Sequence, residues 1–184
     1  LVATENPRWI KFASNLYYAA NNLTDRLNAL NALNHIEGLD RENAVKHFKK
    51  SINHVNLMNH WLRLEGTSFT NDRLKAIQSI VANKTFNINN PNQVYSLLGS
   101  YVRNPISIHQ DAHHQSYDWI IQSILKIDQN NPQVASSLFR PIVAYTNLPA
   151  LCSKHLSAVI KNMNDSGLSS DLKESVELSR SRKE

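Results

Sequence analysis

The sequence predicts an all-α protein, and three observations support this. First, its 184 residues include only four Gly and six Pro, fewer than a turn-dense β architecture needs. Second, apolar residues recur at spacings of three and four, which indicates helices with one buried face. Third, strict alternation of apolar and polar residues never persists for five or six positions, so no strand is predicted. We expect about eight antiparallel helices, forming either a closed bundle or a stack of helical hairpins.

Two Asn-Asn-Pro triplets give the clearest helix starts. The side chains of Asn90 and Asn131 are placed to accept a hydrogen bond from a free N–H of the first turn. Pro91 and Pro132 follow them, at positions where no N–H is needed. The helix after Pro91 is expected to end at Pro105. Its apolar stripe consists of Val94, Leu97, Leu98, Tyr101 and Val102.

Similar stripes predict the remaining helices. Thr24, Asp40 and Thr70 are the candidate caps of three of them, with Gly38 as the stop between the first two. The last helix is expected to start near Ser169. The stripes are Leu23, Leu27, Leu30 and Leu33; Val45, Phe48 and Ile52; Met58, Trp61 and Leu62; Leu74, Ile77, Ile80 and Val81; Tyr117, Ile120, Ile121, Ile124 and Leu125; Cys152, Leu156, Val159, Ile160 and Met163; and Leu172 with Val176.

Composition limits the classes of function. The formal charge is +5, but Lys and Arg are scattered along the chain, which argues against a nucleic-acid surface. A single cysteine excludes an internal disulfide and indicates a reducing, cytoplasmic compartment. No apolar run is long enough to cross a membrane. The chain begins without Met and enters a helical pattern almost at once, so a piece of a longer protein is expected.

The segment "HQDAHH" resembles part of a zinc motif. His109 and His113 are four residues apart, as in H-E-x-x-H, but Gln110 occupies the position of the general base. The chain also has no Glu between Glu65 and Glu174 to serve as a third ligand. We therefore expect His109, His113 and His114 to line the entry to the Tyr117 helix in contact with water. The alternative is a metal-dependent hydrolase that uses His109 and His113.

The cysteine, one further histidine and the tryptophans are predicted to have structural rather than catalytic roles. Cys152 lies on an apolar stripe and is expected in the core rather than as a nucleophile. His155 is expected to be partly buried with a hydrogen-bond partner. The tryptophans, Trp9, Trp61 and Trp119, are expected in the core. No G-x-S-x-G elbow or glycine-rich phosphate loop occurs. The residues of this chain therefore assign it no catalytic activity of its own.

Three segments carry a family resemblance. They are "AANNLTDRLNALNAL" (19–33), "TFNINNPNQVYSLLGSY" (85–101) and "NNPQVASSLFRPI" (130–142). In this order and at these separations they resemble the C-terminal helical domain of bacterial aminopeptidase N, in the M1 family of zinc metallopeptidases. The resemblance implies a right-handed superhelix of antiparallel helical hairpins, an ARM- or HEAT-like α-solenoid. It also implies that residues 1–184 form a single domain, the C-terminal part of the helical domain of a larger aminopeptidase.

The same resemblance places the chemistry in other domains. In this family the zinc ligands lie on H-E-x-x-H plus a distant Glu, and the peptide amine binds at G-x-M-E-N, both in the catalytic domain. Neither motif occurs in this sequence. The resemblance therefore implies no cofactor in this chain and zinc in the catalytic domain of the parent enzyme. The implied partners are the catalytic and N-terminal domains of the same polypeptide and peptide substrates, without nucleic acid or membrane.

The resemblance implies that this domain encloses the substrate chamber of the whole enzyme. By resemblance, the helix after the second Asn-Asn-Pro lines the chamber, where Gln133 could hydrogen-bond a peptide backbone. Ser137 and Tyr95 occupy positions where relatives carry basic residues, so an arginine clamp on a substrate carboxylate is not expected at those positions. The alternative for Gln133 is a solvent-facing polar residue in a first helical turn. The alternative for the whole chain is a stand-alone helical-repeat scaffold that binds a protein or peptide.

Overall fold

The all-α prediction is confirmed. The computed structural model describes residues 2–109, 115–144 and 148–181. Within these ranges it contains eleven α-helices, close to the expected eight, and no strand. The bounds are a 3-10 turn at Val2–Thr4, then α1 Pro7–Ala19, α2 Leu23–Leu33, α3 Leu39–Lys50, α4 Val55–Thr67, α5 Arg73–Val81, α6 at 91–102, α7 Pro105–His109, α8 Gln115–Asp128, α9 Pro132–Ala144, α10 Ala150–Lys161 and α11 Ser170–Ser181.

The helices pack in one connected series of contacts. α1 packs on α2 and α3, α4 packs on α3 and α6, and α6 packs on α9. At the other end, α9 packs on α8 and α11, and α10 packs on α8 and α11. One continuous apolar core runs through these contacts from Ala13 of α1 to Val176 of α11. This is the arrangement of stacked helical hairpins, in which each element buries its stripe against its neighbours.

Helix α6 contains a π turn. It runs as an α-helix over Pro91–Val94, widens over Tyr95–Gly99, and returns to α-helix over Ser100–Val102. A π turn inserts an extra residue into the helix and is frequently found at functional sites. The apolar stripe expected for this helix is buried throughout, with Val94, Leu97 and Leu98 at most 1% exposed.

The two Asn-Asn-Pro triplets start helices as predicted. The Asn90 carboxamide oxygen accepts from the backbone N–H groups of Asn92 at 3.0 Å and Gln93 at 3.4 Å. The Asn131 carboxamide oxygen accepts from the N–H of Val134 at 3.2 Å. Each triplet therefore satisfies donors that the helix itself cannot satisfy.

Two of the expected caps were each wrong by two residues. The cap of α2 is Asn22, whose side chain accepts from the N–H of Asp25 at 2.9 Å, and Thr24 lies inside the first turn. Gly38 is the cap residue of α3 rather than a stop, with a φ of 119° that favours glycine. Asp40 lies in the first turn of α3, where a carboxylate interacts favourably with the helix dipole.

The structure also corrects the interpretations of Thr70 and Pro105. The residue before α5 is Asp72, in the left-handed region at φ 51°. The Thr70 hydroxyl instead accepts from Nη1 of Arg73 at 2.8 Å. Helix α6 ends at Val102, and Pro105 begins α7 rather than ending α6. Proline suits that first position because its missing N–H would have no helical partner.

Candidate functional site

A groove of about 510 Å³ lies between α4 and α6, and we call it the α4–α6 groove. It is bounded by the C-terminal end of α2, one face of α4, the loop after α4, and the π-containing face of α6. Its lining consists of His35, Arg63, Thr67, Phe69, Tyr95, Gly99, Ser100, Arg103, Asn104 and Pro105.

Helix α6 supplies one wall of the groove. Tyr95, Gly99 and Arg103 follow one another at intervals of four residues and all face the groove. The Arg103 guanidinium donates from Nη1 to the carbonyl oxygen of Gly99 at 2.9 Å, which holds this side chain along the helix. A β-carbon at Gly99 would stand 3.2 Å from the same Nη1, so the missing side chain makes room for the guanidinium.

Helix α4 supplies the opposite wall at very close range. Arg63 and Thr67 lie one turn apart on the groove side, and the Thr67 hydroxyl donates to the carbonyl oxygen of Arg63 at 2.9 Å. Between them in sequence, Gly66 faces α6. A β-carbon at Gly66 would stand 2.5 Å from the carbonyl oxygen of Leu97 and 2.7 Å from Cβ of Ser100. The width of the groove is therefore set by direct contact of the two helix backbones.

A buried ionic cluster lies beside the groove. Glu65 of α4 accepts from Nη2 of Arg73 at 3.0 Å, and Nη2 of Arg41 is 3.8 Å from the same carboxylate oxygen. All three side chains belong to residues that are no more than 9% exposed. Burial lowers the pKa of Arg41, while the charge of Glu65 acts in the opposite direction. The Arg41–Glu65–Arg73 cluster thus joins α3, α4 and α5.

The cluster also fixes the segments that carry the groove side chains. Arg41 donates from Nε to the carboxamide oxygen of Asn34 at 3.2 Å and from Nη2 to the hydroxyl of Ser68 at 2.9 Å. The Asn104 carboxamide donates to the carbonyl oxygen of Ser68 at 3.0 Å. The residues next to Asn34, Ser68 and Asn104 line the groove: His35, Phe69, Arg103 and Pro105.

Of the predicted chamber residues, only Tyr95 lines the α4–α6 groove. Tyr95 is 37% exposed and lines the groove. Gln133 is exposed in the first turn of α9, and Ser137 is half-buried one turn further on; neither belongs to the groove lining. Helix α9 packs on α6, with a Leu138 methyl 3.7 Å from the position a Gly99 β-carbon would take. The role of Gln133 therefore stays a prediction.

His109 does not have the environment that the sequence indicated. It lies at the end of α7, only 7% exposed, and its Nδ1 is hydrogen-bonded to the hydroxyl of Tyr117. The expected contact with the Tyr117 helix is confirmed, but the expected contact with water is wrong for His109. Burial lowers the pKa of His109 to about 4 and raises that of Tyr117, so both are neutral near pH 7.

The predicted positions of His113 and His114 at the entry to the Tyr117 helix remain predictions. Gln110, Asp111, His113 and His114 lie outside the described residues. Within the ranges that the structure covers, no three His, Cys, Asp or Glu side chains are grouped as metal ligands.

The predicted environments of Cys152, His155 and Trp61 are confirmed. Cys152 is 5% exposed, and its thiol donates to the carbonyl oxygen of His109 at 3.2 Å. His155 is half-buried, with Nε2 3.1 Å from a carboxylate oxygen of Asp118. Trp61 is 5% exposed in the apolar core, whereas Trp9 and Trp119 are only half-buried.

The α4–α6 groove was not predicted from the sequence. A signal for it was present, because Arg63 and Thr67 are four residues apart, as are Tyr95, Gly99 and Arg103, so each set shares one helix face. What no local pattern could reveal is that these two faces meet. Nor could it pair Glu65 with Arg41, 24 positions earlier in the chain.

No helix among the described residues combines the length and the apolar character needed to cross a lipid bilayer.

Comparison with known proteins identifies the fold family. Residues 1–181 match the family model described as "Domain of unknown function (DUF3458_C) ARM repeats", and the chain belongs to this family of helical-repeat domains. The ARM-like solenoid expected from the resemblance is thereby confirmed.

The curated relatives then point to one kind of protein. Aminopeptidase N of Haemophilus influenzae is 28% identical over 163 residues, which is 88% of this chain and 19% of the relative. Aminopeptidase N of Escherichia coli is 26% identical over 166 residues, 89% of this chain and 19% of the relative. The resemblance to the C-terminal domain of M1 aminopeptidases is confirmed, and this chain spans about a fifth of the length of these relatives.

A solved structure shows the same fold. The crystal structure of Legionella pneumophila aminopeptidase A in complex with aspartic acid superposes with a TM-score of 0.83 at 20% identity. The match covers 94% of this chain and 21% of that one.

Proposed function

We propose that residues 1–184 are the C-terminal part of the helical domain of a larger M1 zinc aminopeptidase. In that enzyme the domain encloses the substrate chamber over the catalytic domain, and the full enzyme removes N-terminal residues from peptides. The observation that carries this proposal is the match of residues 1–181 to the ARM-repeat family, whose curated relatives here are aminopeptidases about five times as long.

In this proposal catalysis belongs to other parts of the polypeptide. The chain has neither H-E-x-x-H nor G-x-M-E-N, and the one motif histidine in the described residues, His109, is buried against Tyr117. Zinc would therefore be held by the catalytic domain, and this chain would have no hydrolytic activity alone. A cytoplasmic location is part of the proposal, in keeping with a single buried cysteine.

In this proposal the domain excludes folded protein and water from the chamber and helps to position the peptide substrate. A stack of helices presents a broad continuous surface. Placed over a catalytic centre, such a surface keeps out folded protein and much of the water. Gln133 is exposed in the first turn of α9 and is proposed to hydrogen-bond the substrate backbone. Ser137 on α9 and Tyr95 on α6 would supply neutral surface to the chamber.

The proposal is tested with two proteins, the 184-residue chain and the polypeptide encoded by the whole gene. We expect the whole polypeptide to hydrolyse an aminoacyl-anilide and to contain about one zinc per chain by metal analysis. The 184-residue chain should do neither. The enclosed chamber predicts in addition that a short peptide is trimmed much faster than the same N-terminal sequence on a folded protein.

Three outcomes would contradict the proposal. A gene that encodes no H-E-x-x-H would favour the stand-alone scaffold. Zinc in the 184-residue chain, lost when His109 and His113 are changed to Ala, would favour the metal-dependent hydrolase. Equal trimming of the free peptide and the folded protein would exclude an enclosing role.

A further inference from the structure

We propose that the surface between α1 and α2 receives the helical hairpin that precedes residue 1 in the whole polypeptide. An apolar groove runs along this surface, and we call it the α1–α2 groove. The inference rests on the proposed function, which makes this chain the later part of a longer helical domain. The place where that domain continues, and the kind of helix that docks there, follow from the residues of α1 and α2.

The α1–α2 groove is lined mainly by apolar side chains and has a volume of about 650 Å³. Helix α1 supplies the large side chains of Trp9, Phe12 and Leu16, which share one face because they are three and four residues apart. Helix α2 supplies the small side chains of Ala29 and Ala32. A ridge of large side chains beside a furrow of small ones is a surface on which another helix packs.

Helix α1 is apolar on two faces. One face packs into the core, where Tyr17 is fully buried and Ile10 is partly buried. The groove face leaves Phe12 54% exposed and Leu16 48% exposed, large fractions for side chains of this type. A helix at the end of a stack needs one apolar face, whereas a helix inside a stack needs two because it has a neighbour on each side. The composition of α1 is therefore that of an internal helix.

Helix α11, at the opposite end of the core, has a different outer face. It buries Leu172 and Val176, and its exposed side chains include Glu174 and Glu177. In the described residues of α11, only Leu178 is large, apolar and exposed. A polar outer face keeps the end of a helical array soluble, whereas an apolar one requires a further repeat. Of the two ends, the α1–α2 end therefore has the surface that a further hairpin would cover.

The polypeptide that precedes α1 emerges beside this groove. Val2 lies in the 3-10 turn before α1, is half-buried and belongs to the groove lining. The neighbouring helices pack on helices close to them in the sequence: α1 packs on α2, both pack on α3, and α3 packs on α4. Contact between sequence neighbours is the general pattern of helical arrays. A hairpin just before residue 1 would reach the groove through a short loop, with little entropy lost on closing it.

A hairpin of the same polypeptide is also favoured over a second copy or a separate partner. Association of two chains carries the full cost of lost translational and rotational freedom. A tethered segment has a high effective concentration, so a modest apolar contact is sufficient to hold it. The groove has thirteen described lining residues, fewer than the about 20–30 residues a side of a typical interface between separate proteins.

The lining also defines the docked face of the hairpin. Asp25 is the one charged residue among the described lining residues, and its carboxylate already accepts from the Asn22 carboxamide at 2.8 Å. We therefore expect the docked helix to carry no charge on the face that meets the groove. Large apolar side chains at spacings of three and four residues would fit over Ala29 and Ala32.

Photo-cross-linking in the whole polypeptide identifies what occupies the groove. Phe12→p-benzoylphenylalanine keeps an aromatic side chain on the groove face, and mass spectrometry of the irradiated protein gives the cross-linked segment. We expect this segment to lie within about 50 residues before residue 1, since helical repeats of this class have about 40–47 residues. Its apolar residues should recur at spacings of three and four. Lys11→p-benzoylphenylalanine, at an exposed position of α1 outside the groove, is the matched control and should not reach this segment.

Thiol labelling of the same polypeptide measures how well the groove is covered. Leu16→Cys lies in the groove at a position that is 48% exposed in this structure, and Leu178→Cys lies on α11 at a position that is 52% exposed. A maleimide should label position 16 at least about tenfold more slowly than position 178, because labelling needs local opening of the docked hairpin. In urea the two positions should react alike. Mass spectrometry locates the label, so other cysteines do not interfere.

The proposal is overturned if position 12 forms no cross-link to the segment just before residue 1, whatever else it reaches. It is also overturned if position 16 is labelled as fast as position 178, or if its protection is lost on dilution, which would indicate a second copy. None of these results depends on hydrolysis. The whole polypeptide could still bind zinc and cleave an aminoacyl-anilide, so failure of this inference is distinguishable from failure of the proposed function.

Discussion

Gly66 of α4 lies so close to Leu97 of α6 that a β-carbon at position 66 would stand 2.5 Å from the Leu97 carbonyl oxygen. Contacts of a β-carbon under 3.0 Å are essentially never found in proteins. The partner is backbone within a π turn, so it cannot rotate away as a side chain could. One glycine therefore permits the helix contact that shapes the α4–α6 groove.

We expect Gly66→Ala to destabilise the fold. Alanine favours helix by about 1 kcal/mol over glycine, but forcing a methyl group into this contact costs about 1–3 kcal/mol or more. The free energy of unfolding, measured by urea denaturation, should fall by about 1–2 kcal/mol. Gly99→Ala is the matched control, since its β-carbon would meet a movable arginine side chain at 3.2 Å. A stabilised Gly66→Ala variant would contradict the close approach.

Removal of the Glu65 carboxylate should lower the free energy of unfolding by more than Gly66→Ala does. Glu65→Gln would leave Arg41 and Arg73 buried without the charge that now lies 3.8 Å and 3.0 Å from them. Breaking a buried ion pair on one side costs about 3–5 kcal/mol. We expect a loss of about 3 kcal/mol in urea denaturation. Glu177→Gln, at an exposed position of α11, should change stability by less than about 0.5 kcal/mol. Similar losses in both variants would argue against an energetic role for the cluster.

The pKa of His109 predicts an acid-sensitive fold. It is about 4 in the folded chain, against 6.5 for an unperturbed histidine. Between these values the unfolded chain binds a proton that the folded chain does not. The free energy of unfolding should therefore decrease as the pH falls from 6.5 to 4, by at most about 1.4 kcal/mol per pH unit from this residue.

Two variants test how much His109 contributes to the pH dependence of stability. His109→Gln can keep a hydrogen bond to Tyr117 but cannot titrate, so its stability should fall less steeply over the same pH range in thermal or urea unfolding. His54→Gln, at an exposed position before α4, should retain the wild-type slope. If His109→Gln and the wild type lose stability in parallel, the folded pKa of His109 is not depressed.

The first Asn-Asn-Pro triplet gives a local prediction. Asn90→Ala removes the acceptor for the N–H groups of Asn92 and Gln93, which should cost about 1 kcal/mol of unfolding free energy. Asn89→Ala changes the exposed neighbour just before the cap and should cost much less. Thermal melts of the two single variants make the comparison. Equal losses would mean that the triplet acts through backbone conformation rather than through the cap.

These residues also show how far the sequence could predict the structure. The stripes and the Asn-Pro caps were predictable because both depend on residues within about two helical turns. Thr24, Asp40 and Thr70 were misplaced because several polar residues near each helix start could serve as the cap. The ionic cluster was not predictable, since Arg41, Glu65 and Arg73 are 24 and 8 positions apart and meet only through packing. No local signal predicted the π turn, which lies where α6 contacts Gly66 of α4.

The proposed chamber role of Gln133 yields a kinetic prediction for the whole polypeptide. Gln133→Ala would remove one hydrogen bond to the peptide backbone, worth about 0.5–1.5 kcal/mol. We expect KM for a tetrapeptide to rise by about two- to tenfold, with kcat/KM for an aminoacyl-anilide unchanged because that substrate has no peptide backbone beyond its first residue for Gln133 to bind. Gln122→Ala, at an exposed position of α8, serves as the control. An unchanged KM for the tetrapeptide would leave Gln133 as a solvent-facing residue of the first turn, and an equal loss on the anilide would place its effect on folding instead.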